Sequence, residues 1–476
     1  MDAQNHRPGG GSPRADRADS GIADGHRPRH YAATHNQALA RQLSPDQARA
    51  LEELIAFDRG TEPVHALAGP AGSGKTFLLG EFVGRCSRRL EITATTNKAA
   101  RVAALATGTE PKTIHALLGL QPRDDENAGR TALKQIRDPE VEPGSLVVVD
   151  EASMIDSDLL GAIERHARTL RFKVLFVGDA YQLPPIFEAR SPVFAGVPTS
   201  HLTTIHRQAL DNPVLAIANE FRAVLDGSPM PRVRALGSEV RVLPEGEFLA
   251  RMLEAFERAS DPSEVRALAW TNQTVRELNQ AVRRHLIGPE AEELAHLPGE
   301  RFIANSAIKD GDRVAVPTEA EVEVVSSQRV NFEADGITFA GELVSVRYRD
   351  RVLELHVPTD WDGARRAIAA SVAAANELQR RYRAGDRTVD GDRRAAWRAF
   401  FRLKEWLHDL RPVYASTVHK SQGSTYAHAF IDAGDIGRCT RTDVIARLMY
   451  VSTSRAAQSV TLTGELPERL YREVAA

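Results

Sequence analysis

The stretch VHALAGPAGSGKT, Val64–Thr76, decides the fold. An apolar run of strand length ends in a glycine-rich turn, and a helical pattern opens at Thr76. The turn fits G-x-x-x-x-G-K-[ST] with Gly69, Gly74, Lys75 and Thr76 in the fixed places, and Pro70, Ala71, Gly72 and Ser73 between them. Its backbone N–H groups can close around phosphate, and the helix N-terminus behind it favours an anion. Lys75 is expected to reach the β and γ phosphates of a nucleotide, and the Thr76 hydroxyl to ligate magnesium. A glycine-rich turn with a solvated lysine is the bland reading. The strand before it and the helix after it argue against that.

Outward from this turn, β-like and helical runs alternate. LEITATT is followed by KAARVAALA, SLVVVD by DSDLLGAIERHA, and then comes KVLFVGD. Such alternation predicts a doubly wound parallel sheet. A second set follows in VRALAWT, QTVRELNQAVRRHL, PVYAST, AHAFIDA and SVTLTG. The long break inside this second set begins with strict alternation (DRVAVP, ELVSVRYRDRVLELHVP), which suggests a small antiparallel barrel. From Trp361 to Leu410 the period is helical. The expected layout is a disordered tail over 1–40, a first α/β domain over 41–205 with a pin-like insertion near 118–144, and a second domain over 206–298 and 411–476. A barrel over 299–360 and a helical extension over 361–410 interrupt the second domain.

Composition narrows the function classes. The chain has 476 residues, 42% hydrophobic and 26% charged, and no apolar run approaches the length of a membrane helix. Only Cys86 and Cys439 are present, which fits a reduced, cytoplasmic setting and leaves no structural zinc site. A net charge of −3 argues against a broadly basic nucleic-acid coat but is compatible with a narrow basic groove. Of the 61 basic residues, only those at 75, 98, 112, 134, 173, 309, 404 and 420 are lysine, so each lysine is informative.

LVVVDEASM places Asp150 and Glu151 at another strand end. In a nucleotide hydrolase Asp150 would hold magnesium and Glu151 would take the proton from the attacking water. By itself the pair is equally an ordinary helix N-terminal charge pair. VLFVGDAYQLPPI, Val174–Ile186, sets Gln182 and a Pro184-Pro185 loop three residues beyond a third strand end. Strand ends of one sheet converge on the ligand crevice, so a neutral amide there can bond both the γ-phosphate and the attacking water. It would thereby distinguish ATP from ADP.

With these residues in place, the chain resembles the superfamily 1 helicases, in the branch containing RecD and the phage Dda helicase. LSPDQ resembles the glutamine motif, which implies that Gln47 reads the adenine edge. TATTNKAA and TIHALLG look like DNA-contacting motifs, which implies contacts from Thr95, Thr96, Asn97, Lys98, Thr113 and His115, with Pro184 beside them. LTTIHRQ carries Arg207 where the family has a γ-phosphate contact, and LMYVSTSRA implies Arg455 as an arginine finger. ASTVHKSQGSTY resembles the branch's most specific motif, implying DNA contacts from Thr417, His419 and Lys420. The family's inserted module is an SH3-like barrel with helical extensions.

The resemblance implies an ATP- and Mg2+-dependent DNA helicase moving 5′-to-3′ on single-stranded DNA and opening tailed duplexes. It further implies a monomer with a single-strand-binding protein as candidate partner, and no membrane. One departure stands out. The pin-like segment GLQPRDDENAGRTALKQIRDPEVEPG contains no aromatic residue to stack on a base. A translocase or protein-displacing ATPase with weak unwinding is therefore the first alternative, and a non-motor P-loop switch the second.

Overall fold

A computed structural model describes residues 43–101, 112–125, 130–185, 188–205, 212–311 and 313–471. The tail expected over 1–40, the turn at Asn127-Ala128-Gly129 and Arg207 lie outside them.

The first described element is the helix α1 (Pro45–Arg59). Ser44 accepts from the Gln47 N–H, and the Gln47 side-chain oxygen accepts from the Ser44 N–H at 3.1 Å, so two otherwise unpaired donors are satisfied reciprocally. The far end of α1 is held by Lys173. Its ammonium donates to the carbonyls of Phe57, Gly60 and Glu62 at 2.6, 2.9 and 2.9 Å and lies 4.5 Å over the Phe57 ring. Its three donors thus meet three carbonyls at the end of the helix and just beyond it, where helix geometry leaves carbonyls short of donors.

The first sheet contains β1 (Val64–Ala68), β2 (Leu90–Ala94), β5 (Leu146–Asp150), β6 (Lys173–Gly178) and β7 (Thr199–His201), in the order β2-β5-β6-β1-β7 and all parallel. Between β2 and β5, β3 (Leu120–Asp125) and β4 (Arg130–Gln135) form a separate antiparallel ladder. Leu146 and Val148 face α1 and α2 (Lys75–Val83), whereas Val147 and Val149 face α3 (Ser157–Leu170). Both faces are covered, which is why β5 reads as a continuous apolar run rather than an alternation. Leu67, Leu78, Phe82 and Leu175 are at most 1% exposed. Each such side chain contributes roughly 1.5–3 kcal/mol on burial.

The second sheet, also parallel, runs β17 (Ala415–Thr417), β9 (Val265–Ala269), β18 (Tyr426–Asp432), β19 (Ala456–Thr463) and β8 (Val240–Val242). One face packs on α4 (Pro213–Ala223) and α9 (Thr442–Ser454), the other on α5 (Glu245–Arg258) and α6 (Asn272–Ile287).

Between α6 and β17 lies the insertion. It contains a β11 (Ile308–Asp310) and β12 (Arg313–Val316) ribbon and a sheet ordered β15-β14-β13-β10-β16. The members of that sheet are β10 (Arg301–Ala304), β13 (Glu321–Ala334), β14 (Ile337–Tyr348), β15 (Arg351–Pro358) and β16 (Leu410–Pro412). Among the described residues β15 and β16 are opposite edges of this sheet and the isolated bridge between His356 and Leu407 adjoins them, so strand pairing there does not close the expected barrel. The physical reason lies in β13 and β14, which outrun one core. Their near halves bury Val322, Val324, Val344 and Val346 under β15. Their far halves carry Phe332 and Phe339 onto α7 (Trp361–Arg383) and α8 (Asp390–Trp406), against Ala364, Ala367 and Leu403. Gly363 allows this approach, since a Cβ there would stand 2.5 Å from the Phe339 Cβ. Among the described residues, no helix is long and apolar enough to cross a membrane.

Candidate active site

The turn after β1, the loops after β2, β5 and β6, and the end of α9 meet in one cleft between the two sheets. Lys75 opens α2, and its ammonium donates to the carbonyls of Gly69 and Pro70 at 2.6 and 3.1 Å. Ser73 closes the turn by donating to the Pro70 carbonyl at 2.9 Å. Gln47 is 2% exposed, and its Nε2 donates to the Ser73 carbonyl at 3.3 Å. Its amide therefore ties α1 to the phosphate turn, while its oxygen serves the helix cap.

Asp150 and Glu151 follow β5 as expected. Asp150 accepts from the Glu151 N–H at 2.8 Å, and burial, then the Glu151 charge, pushes its pKa up to about 6. Glu151 has φ 52°, a left-handed conformation uncommon for a glutamate and held here by its surroundings. Thr95 donates to its carbonyl at 3.2 Å. Across the cleft, Gly423 adopts φ +71° with space for a Cβ only 3.2 Å from that of Ala99, so the second lobe can approach closely there.

Arg455 ends α9 and is 8% exposed. Its guanidinium donates to Gln182 Oε1 at 2.9 Å, to Glu151 Oε1 at 3.4 Å and to the Ser424 carbonyl at 3.4 Å. The structure thus gathers Lys75, Asp150, Glu151, Gln182 and Arg455. Thr76 is exposed at the start of α2.

The residues expected to touch nucleic acid lie on the first lobe's loops and beside the insertion, and several have internal partners. Thr96 and Thr113 cap short helical turns through the N–H groups of Ala99 and Ala116. Asn97 reaches the Thr318 carbonyl of the insertion at 3.5 Å. The Lys98 ammonium sits 5.0 Å over the Tyr426 ring, which Arg266 also overlies at 5.1 Å. Thr417 accepts from the Lys420 N–H at 3.4 Å. Lys420 is paired with Glu319 at 2.8 Å and bonds Asn305, so it is an anchored cation rather than a free one. Burial holds His115 and His419 below the ordinary histidine range, which favours neutral rings. Pro184 is half-buried in the loop after β6.

Two family models match this chain. The AAA domain covers 42–238 and the UvrD-like helicase C-terminal domain covers 412–463, on either side of the insertion. Two curated relatives are helicases. The ATP-dependent RecD2 DNA helicase of Deinococcus radiodurans is 34% identical over 189 residues, 37% of this chain and 23% of that protein. The ATP-dependent DNA helicase dda of Enterobacteria phage T4 is 21% identical over 430 residues, 82% of this chain and 92% of that protein. In both lobes the chain is thus similar to helicases of superfamily 1, in the RecD/Pif1/Dda branch. A solved structure of two coordinating Pif1 helicases at forked double-stranded DNA is also similar, at 16% identity and TM-score 0.46, covering 91% of this chain and 94% of that one.

The cleft also contains more than its sequence motifs announced. Tyr450, on α9, is fully buried; it accepts from the Ala71 N–H of the phosphate turn at 2.8 Å and donates to Asp179. Burial pushes the Asp179 carboxyl up, while Lys75 and the Tyr450 hydroxyl pull against that. One turn earlier Arg447 donates to the carbonyls of Ala180 and Gln182 at 2.9 and 2.8 Å. Gln422 reaches the Leu183 carbonyl at 3.1 Å. The loop after β6 is thus gripped residue by residue from the other lobe. The available signal was the spacing of Arg447 and Tyr450, which puts both on one helix face.

Proposed function

We propose that this superfamily 1 helicase moves 5′-to-3′ along single-stranded DNA, using ATP and Mg2+, and opens duplexes that carry a 5′ tail. The observation that carries the reading is Arg455, a cation of the second lobe placed on both Glu151 and Gln182 of the first. ATP bound at the turn after β1 would have its γ-phosphate among Lys75, Gln182 and Arg455. Glu151 would accept the proton of the attacking water, and Gln182 would orient that water. The planar guanidinium of Arg455 can hold the transferring phosphoryl group with two donors. Arg207 takes the neighbouring γ-phosphate role on resemblance alone.

Thr76 and Asp150 fit magnesium. Among the described residues no cluster of three or more His, Cys, Asp or Glu forms a protein-only cage. Magnesium bound through one or two protein oxygens plus phosphates and water has no need of one. The ion would neutralise phosphate charge. The Asp150 carboxylate would hold it in place.

Hydrolysis removes the group that Arg455 and Gln182 share, and the lobes separate. Loops 95–98 and 417–420 then act as the two hands on the strand, through phosphate contacts that carry no sequence information. Direction follows from the resemblance of ASTVHKSQGSTY to the pattern of the 5′-to-3′ branch. A translocase with weak unwinding is the second reading, favoured by the β3–β4 segment, which contains no aromatic residue.

Duplexes with a 5′ tail, a 3′ tail or blunt ends separate these readings. ATP-dependent opening of the 5′-tailed substrate is expected. Preferential opening of the 3′-tailed one overturns the direction. Opening of none, with hydrolysis still stimulated by single-stranded DNA, selects the translocase.

A further inference from the structure

We propose that the groove between α6 and the far half of the β13–β14 ribbon binds a further stretch of single-stranded nucleic acid, continuing the track beyond the second lobe. This rests on the reading above.

The groove holds about 1280 Å³. Small-molecule pockets run to roughly 1,000 Å³, so the volume suits a polymer segment better than a metabolite. Asn272, Arg276, Asn279 and Arg283 recur along its α6 wall. That spacing of eleven residues spans about 17 Å of helix. At the phosphate spacing of a stacked strand, about 3.4 Å, the wall is long enough for roughly five phosphates.

Charge bookkeeping favours an anion. Arg283 is consumed by Glu300 at 2.7 Å. Glu342 is consumed by the N–H groups of Ala295 and His296, by the His296 ring and by Ser327. Glu292 pairs with Arg284. What remains facing the opening is Arg276 on one wall and Arg329 on the other, both exposed and without an ion-pair partner among the described residues, against the single exposed carboxylate of Glu293. Arg365 and Arg411 lie at the rim with Trp361, whose ring can stack on a base.

The groove also adjoins the residues expected to hold the strand. Lys420 bonds Asn305, Asn305 donates to Asp409 at 2.7 Å, Arg411 pairs with Asp409 at 2.9 Å, and Arg411 donates to Asn272 at 2.7 Å. Asp409, Arg411 and Asn272 line the groove's mouth. A strand leaving Lys420 therefore meets the groove directly.

The test uses the full chain and fluorescent single-stranded DNA of two lengths. One length fills only the inter-lobe contacts, about 8 nucleotides, and one reaches the groove, about 20. For the wild type, the longer strand should bind tighter. In the double variant Arg276→Gln, Arg329→Gln this gain should fall on the order of tenfold, with the salt slope for the long strand lower by about 1.4, two phosphate contacts' worth. Affinity for the short strand should not change, which also reports that the variant is folded. An undiminished length gain in the variant overturns the proposal, as does an equal loss with both lengths. Wild type that binds neither length overturns the reading beneath it as well.

Discussion

Arg455 of the second lobe and Gln182 of the first meet at 2.9 Å, with Glu151 on the same guanidinium. Gln182 follows a strand end as a lone amide in the sequence; its partner is contributed from 273 residues away. Arg455→Ala should leave ATP binding within a few-fold of wild type and lower DNA-stimulated turnover by about 10³-fold or more, the range found for arginine fingers. Arg455→Lys should not restore it, because a point charge cannot hold two acceptors in one plane. Equal losses in nucleotide affinity and turnover, measured by titration and steady-state hydrolysis, would make Arg455 a ground-state ligand.

Glu151→Gln should retain ATP binding and lose hydrolysis by about 10²- to 10⁴-fold, since the amide keeps the shape but accepts no proton. Lys75→Ala should lose binding as well, because the cation is anchored inside the phosphate turn. Near wild-type hydrolysis by Glu151→Gln refutes the base assignment.

Tyr450→Phe keeps the buried ring and deletes the hydroxyl that joins Ala71 to Asp179. The buried Asp179 carboxylate keeps the Tyr181 N–H but loses the donor on its other oxygen, a cost of about 1–3 kcal/mol. Turnover at saturating ATP should fall by about tenfold or more, with a smaller change in KM. A fall in KM-limited rate alone would show that the hydroxyl only shapes the empty turn.

Lys173→Met removes one ammonium from three carbonyls at the end of α1; that of Phe57 keeps the Gly60 N–H, and those of Gly60 and Glu62 lose this donor. The apolar stem still fits, so the cost should come from the carbonyls, about 1–3 kcal/mol. Chemical denaturation followed by circular dichroism checks this. An unchanged midpoint would show that water replaces the ammonium.

The insertion should lose stability in acid. Burial, then the neighbouring His356, holds His408 down at about 4, whereas an unfolded histidine titrates near 6.5. Between those values the unfolded chain binds the extra proton, so stability rises with pH across this window and falls as pH drops through it. Melting curves from pH 7 to 4.5 should show the decline, and His408→Gln should flatten it. Parallel curves for the two proteins would remove His408 as the cause.

What the sequence determined by itself is local. The turn at 69–76, the carboxylates after β5 and the parallel alternation all follow from neighbours in the chain: glycine where backbone must bend, apolar runs where both sheet faces are covered. The helix cap at Ser44 is equally local. Tertiary structure decided what spans long separations. That Arg455 faces Gln182, that Tyr450 reaches the phosphate turn, and that Lys420 is held by Glu319 depend on how two sheets and an insertion pack. No periodicity encodes that. The insertion shows the same limit. Alternation pointed to strands at 312–317 and 342–358 only, and whether they close was set by the length of β13 and β14 and by the helices that pack on Phe332 and Phe339.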